Sequence, residues 1–274
     1  MAAKVVVQGA CGRMGKALIR CILEEKVQGL ELVGAVDVPA VPGIGTDAGR
    51  MAGCKAAGIQ VVSDLAEVGP AADVIIEFSS PSATAANASR IAEWGTAWVI
   101  GTTGLNADEI AAVTTASEKT AVVLSGNMSL GINLLCHLVE VGARALKDKG
   151  YDIEVTESHH RLKKDSPSGT ALMLGQAAAD GYDWDLKEVQ VDGRTGLPGE
   201  RPEKEIGFHA IRGGDIVGDH TVMMAGVGEL LELSHRATNR DVFAMGALQA
   251  AVWVATKEAK LYTMKDAMKH VLGL

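Results

Sequence analysis

Aromatic side chains are scarce: three Phe, three Tyr and four Trp among 274 residues, or 4%. The interior must therefore be filled by Val, Ile, Leu, Ala and Met, and hydrophobic residues do reach 47%, as in an ordinary globular protein. Cysteine is also sparse. Cys11, Cys21, Cys54 and Cys136 lie far apart and match neither a CxxC pair nor a zinc spacing. A chain of this size needs no disulfide framework, so reduced thiols are expected. No apolar run approaches the roughly 18 residues of a membrane span, and Met1-Ala-Ala-Lys4 leads straight into a strand without an apolar leader. A soluble, cytoplasmic protein is the expectation. Positive charge is in deficit, 26 Lys and Arg against 34 Asp and Glu, for a formal net charge of −8. That balance excludes nonspecific binding to nucleic acid or an anionic membrane, which needs a broad basic face.

Glycine is what the chain has in quantity, 32 residues, and its first cluster is informative. Lys4-Val-Val-Val-Gln8 reads as a buried strand and runs directly into Gly9-Ala-Cys-Gly12-Arg-Met-Gly15. An amphipathic helix follows from Lys16 to about Lys26, then a second strand, Leu30 to Asp37. A glycine triplet alone is weak. Between a strand and a helix, with a carboxylate 22 positions beyond Gly15 at the end of the next strand, it is the fingerprint of a dinucleotide-binding unit. Asp37 stands where such a fold accepts hydrogen bonds from the adenosine ribose. Residues 38–58 read as loop and Ile59–Val62 as a short edge strand. Further strands are read at 73–78, 97–100 and 121–124, with helices at 81–94 and 107–119 between them. This alternation implies a parallel sheet with ligand-binding loops beyond its C-terminal edge, among them 9–15, 101–104 and 125–128.

The pattern changes after Leu130. A long helix to about Leu146 precedes an alternating strand, Asp152–Thr156, and a helix near 171–179. Residues 192–204, with two prolines and three glycines, look like a mobile loop. Strands at 206–211, 216–224 and 230–235, joined by glycine turns, predict an antiparallel meander. A final apolar helix, 241–257, is expected to pack back on the first domain. The fold class is thus α/β: a Rossmann-like parallel-sheet dinucleotide-binding domain, 1–129 with 240–274, plus a smaller α+β domain, 130–239, with a mixed or antiparallel sheet.

Between the strand at 152–156 and the helix at 171 lies the most unusual stretch. Five of the six residues from His159 to Lys164 can carry positive charge. Ser168 is a good N-cap, and the N–H groups of Gly169 and Thr170 at the helix start favour an anion. A charge run alone commonly marks a solvated loop. Adjacent His159 and His160 on an extended chain point to opposite faces and chelate poorly, so no metal is expected. The arrangement fits anion binding with proton transfer.

Glu157-Ser-His-His-Arg-Leu-Lys-Lys-Asp-Ser-Pro-Ser-Gly-Thr-Ala171 resembles the signature E-x-H-H-x-x-K-x-D-x-P-S-G-T-A of the dihydrodipicolinate reductases. Gly9-x-x-Gly12-Arg-Met-Gly15, Gly101-Thr-Thr-Gly104 and Arg212-x-Gly-Asp-Ile-Val-Gly-x-His220 are similar to that family too, and the likeness spans the whole chain. The resemblance implies an oxidoreductase of diaminopimelate and lysine biosynthesis. Its substrate is 4-hydroxy-tetrahydrodipicolinate, a cyclic imine dicarboxylate reduced by hydride from a nicotinamide cofactor. It further implies His159 and Lys163 as proton donors, and His160, Ser168, Gly169 and Thr170 as substrate ligands. Gly9, Ala10, Cys11, Gly12, Arg13, Met14, Asp37, Gly101, Thr102, Thr103, Ser125, Gly126, Asn127 and Met128 would contact the cofactor, and the second domain would build a homotetramer.

Two departures are notable. Lys164 and Ser166 stand where the family often has an apolar residue and Ala. Val38 stands where members that use NADPH well tend to carry a basic residue, and no cation follows until Arg50. NADH preference is therefore expected, with NADPH weaker. Cys11 reads as a small filler whose thiol could be acidified at the helix start. His209, His220, His235 and His270 receive no role. Another imine or carbonyl reductase of the same build is the alternative enzyme. A dinucleotide sensor would need no His159 and Lys163 beside an anion pocket.

Overall fold

A computed structural model describes residues 2–272, with the side chains of 270–272, His270 among them, outside the description. It divides into two compact units: one runs to Leu130 and resumes at Arg240, the other is Gly131–Asn239.

In the first unit, β1 (Ala3–Gln8), α1 (Arg13–Leu23), β2 (Leu30–Val36), α2 (Ala48–Met51), β3 (Val61–Val62), β4 (Val74–Glu77), α3 (Pro81–Trp94), β5 (Ala97–Ile100), α4 (Ala107–Ser117) and β6 (Ala121–Leu124) follow in order. Helix α1 starts at Arg13, three residues before the sequence reading placed it. Ile75, Ile76, Val99 and Val122 are fully buried because helices cover both faces of the sheet. Helix starts are chemically explicit. Ser80 caps α3 with Pro81 next, and Asn106 with Glu109 forms a reciprocal capping box on α4. The loop expected over 38–58 does contain a helix, α2, because Asp47 accepts from Arg50 N–H and caps it.

The second unit begins with α5 (Leu130–Leu146), β7 (Asp152–His159), α6 (Gly169–Tyr182), α7 (Leu186–Val189), β8 (Gln190–Asp192), β9 (Ile206–Arg212), β10 (Gly218–Gly226) and β11 (Glu229–Ala237). Its sheet has the order β11-β10-β7-β9-β8. The antiparallel meander expected over 206–235 is therefore wrong in one respect. Strand β7 lies between β9 and β10, parallel to the first and antiparallel to the second. The loop from β9 to β10 crosses the end of β7 and bonds to it, Gly213 N–H to His159 C=O (2.9 Å) and Arg161 N–H to Gly214 C=O (3.2 Å). Residues 193–205 are tied down through Arg201, which bonds Asp152, Glu154 and the Ile153 and Glu205 carbonyls.

The chain then returns to the first unit as α8 (Asp241–Val254), β12 (Lys260–Tyr262) and α9 (Met264–Leu272). Strand β12, unread in the sequence, extends the parallel sheet to the order β12-β6-β5-β4-β1-β2-β3. Helix α8 buries Ala244, Ala247, Leu248 and Val254 against that sheet, as expected for the last apolar helix. Asp241 anchors its start through an ion pair with Arg20 and another with Lys26 at 3.0 Å. Gly246 makes the closest approach. A Cβ there would overlap the carbonyl oxygen of Met128, and neither backbone can yield without moving β6 or α8. Gly246→Ala should therefore destabilise the protein by about 3 kcal/mol or more, the high end for overpacking. A wild-type midpoint in urea unfolding would refute this.

Candidate active site

The first unit gathers the residues assigned to a dinucleotide at one edge of its sheet. Gly9, Ala10, Cys11 and Gly12 form the turn from β1 to α1, and Arg13 and Met14 lie in the first turn of that helix. Gly9 has φ +81°, and a Cβ on Gly15 would overlap the Gly9 carbonyl, so both are needed for the chain to double back. Asp37 follows β2. Its Oδ2 accepts from Cys11 N–H at 2.7 Å and its Oδ1 from Val38 N–H at 2.8 Å. The carboxylate is thus held in place by backbone donors, and each oxygen keeps a further lone pair. Gly101, Thr102 and Thr103 follow β5, and Ser125, Gly126, Asn127 and Met128 follow β6. The Ser125 hydroxyl donates to the Asn127 carbonyl at 2.9 Å and shapes that last turn.

Beneath these loops sits a residue that sequence reasoning missed. Glu77 ends β4 fully buried. It accepts hydroxyls from Ser79 (2.6 Å) and Thr84 (2.5 Å) and the Trp98 indole N–H (3.0 Å). Thr102 Oγ in turn accepts Ser79 N–H at 2.9 Å. Burial pushes the Glu77 carboxyl up, against the lowering effect of these donors.

A cleft of about 600 Å³ runs from Gly9, Gly12 and Lys16 to Asp37 and Ser80. A recess of about 130 Å³ continues beside Asp37, lined by Gln8, Asp64, Asn87 and Arg90. The glycine turn and the Asp37 carboxylate along the cleft suit the phosphates and ribose of a dinucleotide. Lys16 supplies positive charge next to the glycine turn, and the buried Gln8 Oε1 has no hydrogen-bond partner among the described residues. Arg90 corrects the expectation that no cation lies near Asp37. It stands 53 positions away in sequence, one helix turn beyond Asn87, and only the fold brings it there. Its guanidinium is paired with Asp64 at 2.7 Å and lies 5.6 Å from the Trp94 ring centre. For Cys11 the environment favours the small-filler reading over an acidified thiol. Burial, then the neighbouring Asp37, pushes its thiol up, so it is not acidified.

In the second unit the sheet register does the assembling. Glu157 and His159 are two apart on β7 and share the buried face. Arg212 on β9 stands opposite His159, and His220 on β10 stands opposite Glu157. The Glu157 carboxylate, 2% exposed, accepts both Arg212 nitrogens at 2.7 Å, His159 Nδ1 at 2.6 Å and Ser168 N–H at 3.0 Å. Burial works against its ionisation, but Arg212 and His159 outweigh that and lower its pKa. For His159 burial wins over the Glu157 bond, and its pKa falls below the usual value. His220, whose ring centre is 5.1 Å from that of His159, is pushed down to about 3 by burial and by His159, so it stays neutral.

Ser168 caps α6, its Oγ accepting Ala171 N–H at 3.1 Å and meeting His220 Nε2 at 3.2 Å. Gly169 and Thr170 occupy the first helical turn, with open space over Gly169. His160 follows β7, and Lys163 bonds its carbonyl through the backbone while its ammonium pairs with Asp165 at 2.9 Å. Every residue assigned to the substrate thus belongs to the end of β7, the loop after it, or the start of α6. Glu157, Arg212 and His220 were legible as motif letters but not as a cluster. No group of metal-ligating side chains occurs among the described residues.

Comparison with known proteins agrees along the whole chain. The family model for the N-terminal part of dihydrodipicolinate reductase matches residues 3–128, and that for its C-terminal part matches 131–268. A 4-hydroxy-tetrahydrodipicolinate reductase of Alkalilimnicola ehrlichii is 48% identical over the full length of both chains. One of Acinetobacter baumannii is also 48% identical, over 100% of this chain and 97% of its own. Among solved structures, a dipicolinate-bound dihydrodipicolinate reductase from a Paenisporosarcina species superposes with a TM-score of 0.73 at 20% identity, covering 96% of this chain and 98% of that one. An amine dehydrogenase of Mycobacterium smegmatis shares the fold at a TM-score of 0.61 and 13% identity, over 97% and 96% of the two chains. The chain belongs to the dihydrodipicolinate reductase family.

Proposed function

We propose that the protein reduces 4-hydroxy-tetrahydrodipicolinate to tetrahydrodipicolinate in diaminopimelate and lysine biosynthesis. The observation that carries this reading is a buried imidazole, His159, beside the cationic, Ser168-capped start of α6, in a chain matched end to end by its family. The first unit binds the dinucleotide, and the second binds the substrate. One substrate carboxylate is received by the N–H groups of Gly169 and Thr170, and His160 and Lys163 add hydrogen bonds and positive charge. Loss of the ring hydroxyl as water leaves a conjugated imine, which Lys163 as ammonium assists. Reduced nicotinamide, when bound, supplies a hydride to C4. His159 or Lys163 supplies the proton that completes the reduction.

His159 is held below its usual basicity in the free protein, and a dicarboxylate beside it favours the imidazolium. Substrate binding therefore charges the acid that the reaction needs. The exposed apolar residues Ile211, Val227, Leu230 and Leu231 on β9, β11 and the turn before β11 support assembly through the second sheet, and the complex is a homotetramer. Among the described residues no helix is long and apolar enough to cross a membrane, and the enzyme works in the cytoplasm.

His159→Gln should lower kcat by roughly 10²–10⁴, the value of a positioned acid, with NADH affinity near wild type. Activity followed by NADH absorbance on freshly generated substrate tests both the function and the role. An unmodified protein inert in that assay defeats the function, and an unimpaired variant removes His159 from it.

NADH is preferred over NADPH. A 2′-phosphate of charge near −2 would meet Asp37, with Val38 beside it, and a recess where Asp64 already offsets Arg90. An uncompensated repulsion of about 1.4–3 kcal/mol gives a ten- to hundredfold preference. Val38→Arg should recover NADPH use, since guanidinium binds phosphate through paired hydrogen bonds. Equal kcat/KM for the two cofactors in the unmodified protein would contradict this.

A further inference from the structure

The roles proposed above leave Glu157 and Arg212 unused, yet they form a two-pronged charged pair whose carboxylate is buried and accepts four hydrogen bonds. The inward side chains before Glu157 on β7 are Ile153 and Val155, both fully buried in effect, and an unpaired carboxylate could not persist in that position. Its four bonds are divided by function. Arg212 takes both oxygens, Ser168 N–H takes Oε1, and His159 Nδ1 takes Oε2. Arg212 also donates to the Asp165 carbonyl at 2.8 Å, which fixes the loop carrying Lys163.

We propose that Glu157 and Arg212 are positioning residues for His159: the carboxylate holds a proton on Nδ1 and leaves Nε2 as the donating atom, while Arg212 offsets the carboxylate so that this proton can be released. The proposal rests on the reductase reading above. An ionised carboxylate only accepts, so Nδ1 must donate in both charge states of the ring. The second proton is therefore gained and lost at Nε2. In the transfer the Nε2–H bond breaks, its electron pair stays on Nε2, a bond to hydrogen forms on the substrate, and Nδ1–H is unchanged. No described residue hydrogen-bonds Nε2. Gly218 on β10 keeps space at that atom, since a Cβ there would lie 3.1 Å from it.

Beyond burial, Arg212 loosens the hold on the proton through the carboxylate that it shares with His159. A lone buried carboxylate would stabilise the imidazolium strongly, as an opposite charge at hydrogen-bond distance does. Here the same two oxygens answer to a guanidinium, and their effect on the ring is reduced. Among the remaining groups facing His159, Lys163 also opposes the imidazolium, but it does not touch the carboxylate that holds Nδ1. Lys163 and Asp165 in the loop pair with each other. His220 on β10 and His235, its partner in register on β11, are pushed toward the neutral form by burial.

The two residues thus act on His159 in opposite senses, and a merely structural ion pair would not. The test is a pH titration of the full-length protein without ligands, labelled with ¹⁵N in histidine and followed by NMR, with the His159 signals assigned by their absence in His159→Gln. Wild-type His159 should be protonated at Nδ1 and bare at Nε2 in its neutral form. Glu157→Gln should move the proton to Nε2 and lower the ring's apparent pKa by about one unit or more, and Arg212→Gln should raise it by about one unit. The limb of the kcat/KM profile that reports His159 should move with each. Arg212→Lys, which keeps the charge, should stay near wild type in pKa. A wild-type ring protonated at Nε2, or variants that shift His159 in the same direction or not at all, overturns the proposal. The wild-type tautomer and the Glu157→Gln titration decide it even if Arg212→Gln fails to fold. Lack of reductase activity in the unmodified protein would defeat the functional reading alone, because the titration needs no substrate.

Discussion

The second unit is organised by one charge that cannot reach water. Glu157 stands on the buried face of a sheet, and an ionised carboxylate is tolerated there only with full compensation. Arg212, His159 and Ser168 N–H supply it. Each donor comes from a different place: the last residue of β9, the end of β7 itself, and the cap of α6. Satisfying one carboxylate therefore fixes the end of two strands, the start of a helix and the cationic loop between them. It also explains why β7 must lie between β9 and β10. Only that order puts Arg212 on one side of the Glu157–His159 pair and His220 on the other.

The first unit solves a similar problem with neutral donors. Glu77 also ends a strand, is also buried, and also ties down loops at the sheet's C-terminal edge, through Ser79, Thr84, Trp98 and Thr102. Without a cation, burial prevails and its carboxyl is pushed up; with Arg212, the Glu157 carboxyl is pulled down. The difference matters chemically. Glu77 needs only to hold backbone in place, whereas Glu157 touches an imidazole whose protonation it governs.

Local chemistry made much of this legible. The strand–glycine–helix run, the capping residues Ser80, Asn106 and Ser168, and the carboxylate at Asp37 each declare themselves within a few residues, because capping and tight turns are short-range effects. Pairing between distant strands is not. The glycine turns at 213–215 and 226–228 look alike in sequence, yet only the second joins neighbours in the sheet; the first spans β7. Arg212 and His220 therefore read as scattered residues 55 and 63 positions from Glu157. Arg90 was invisible for the same reason: helix α3 carries it back to a recess that opens at the end of β1 and β2. Strand β12 is three residues long and begins with exposed Lys260, too short to show any period.

The low basicity of His159 follows from the same geometry and gives the site a sense of order in time. An acid that was already charged in the free protein would add a cation to a loop crowded with Arg161, Lys163 and Lys164. Burial, then Lys163 and Arg212, lower the His159 pKa, which favours the neutral ring and less self-repulsion in the loop before a ligand arrives. A dicarboxylate brings two negative charges to that loop at once. In the proposed site one would meet the start of α6, and together they would favour the imidazolium that Glu157 is oriented to stabilise. In the mechanism proposed above the proton is taken up when there is a substrate to receive it, and it is held at Nε2, the ring nitrogen that no described residue hydrogen-bonds.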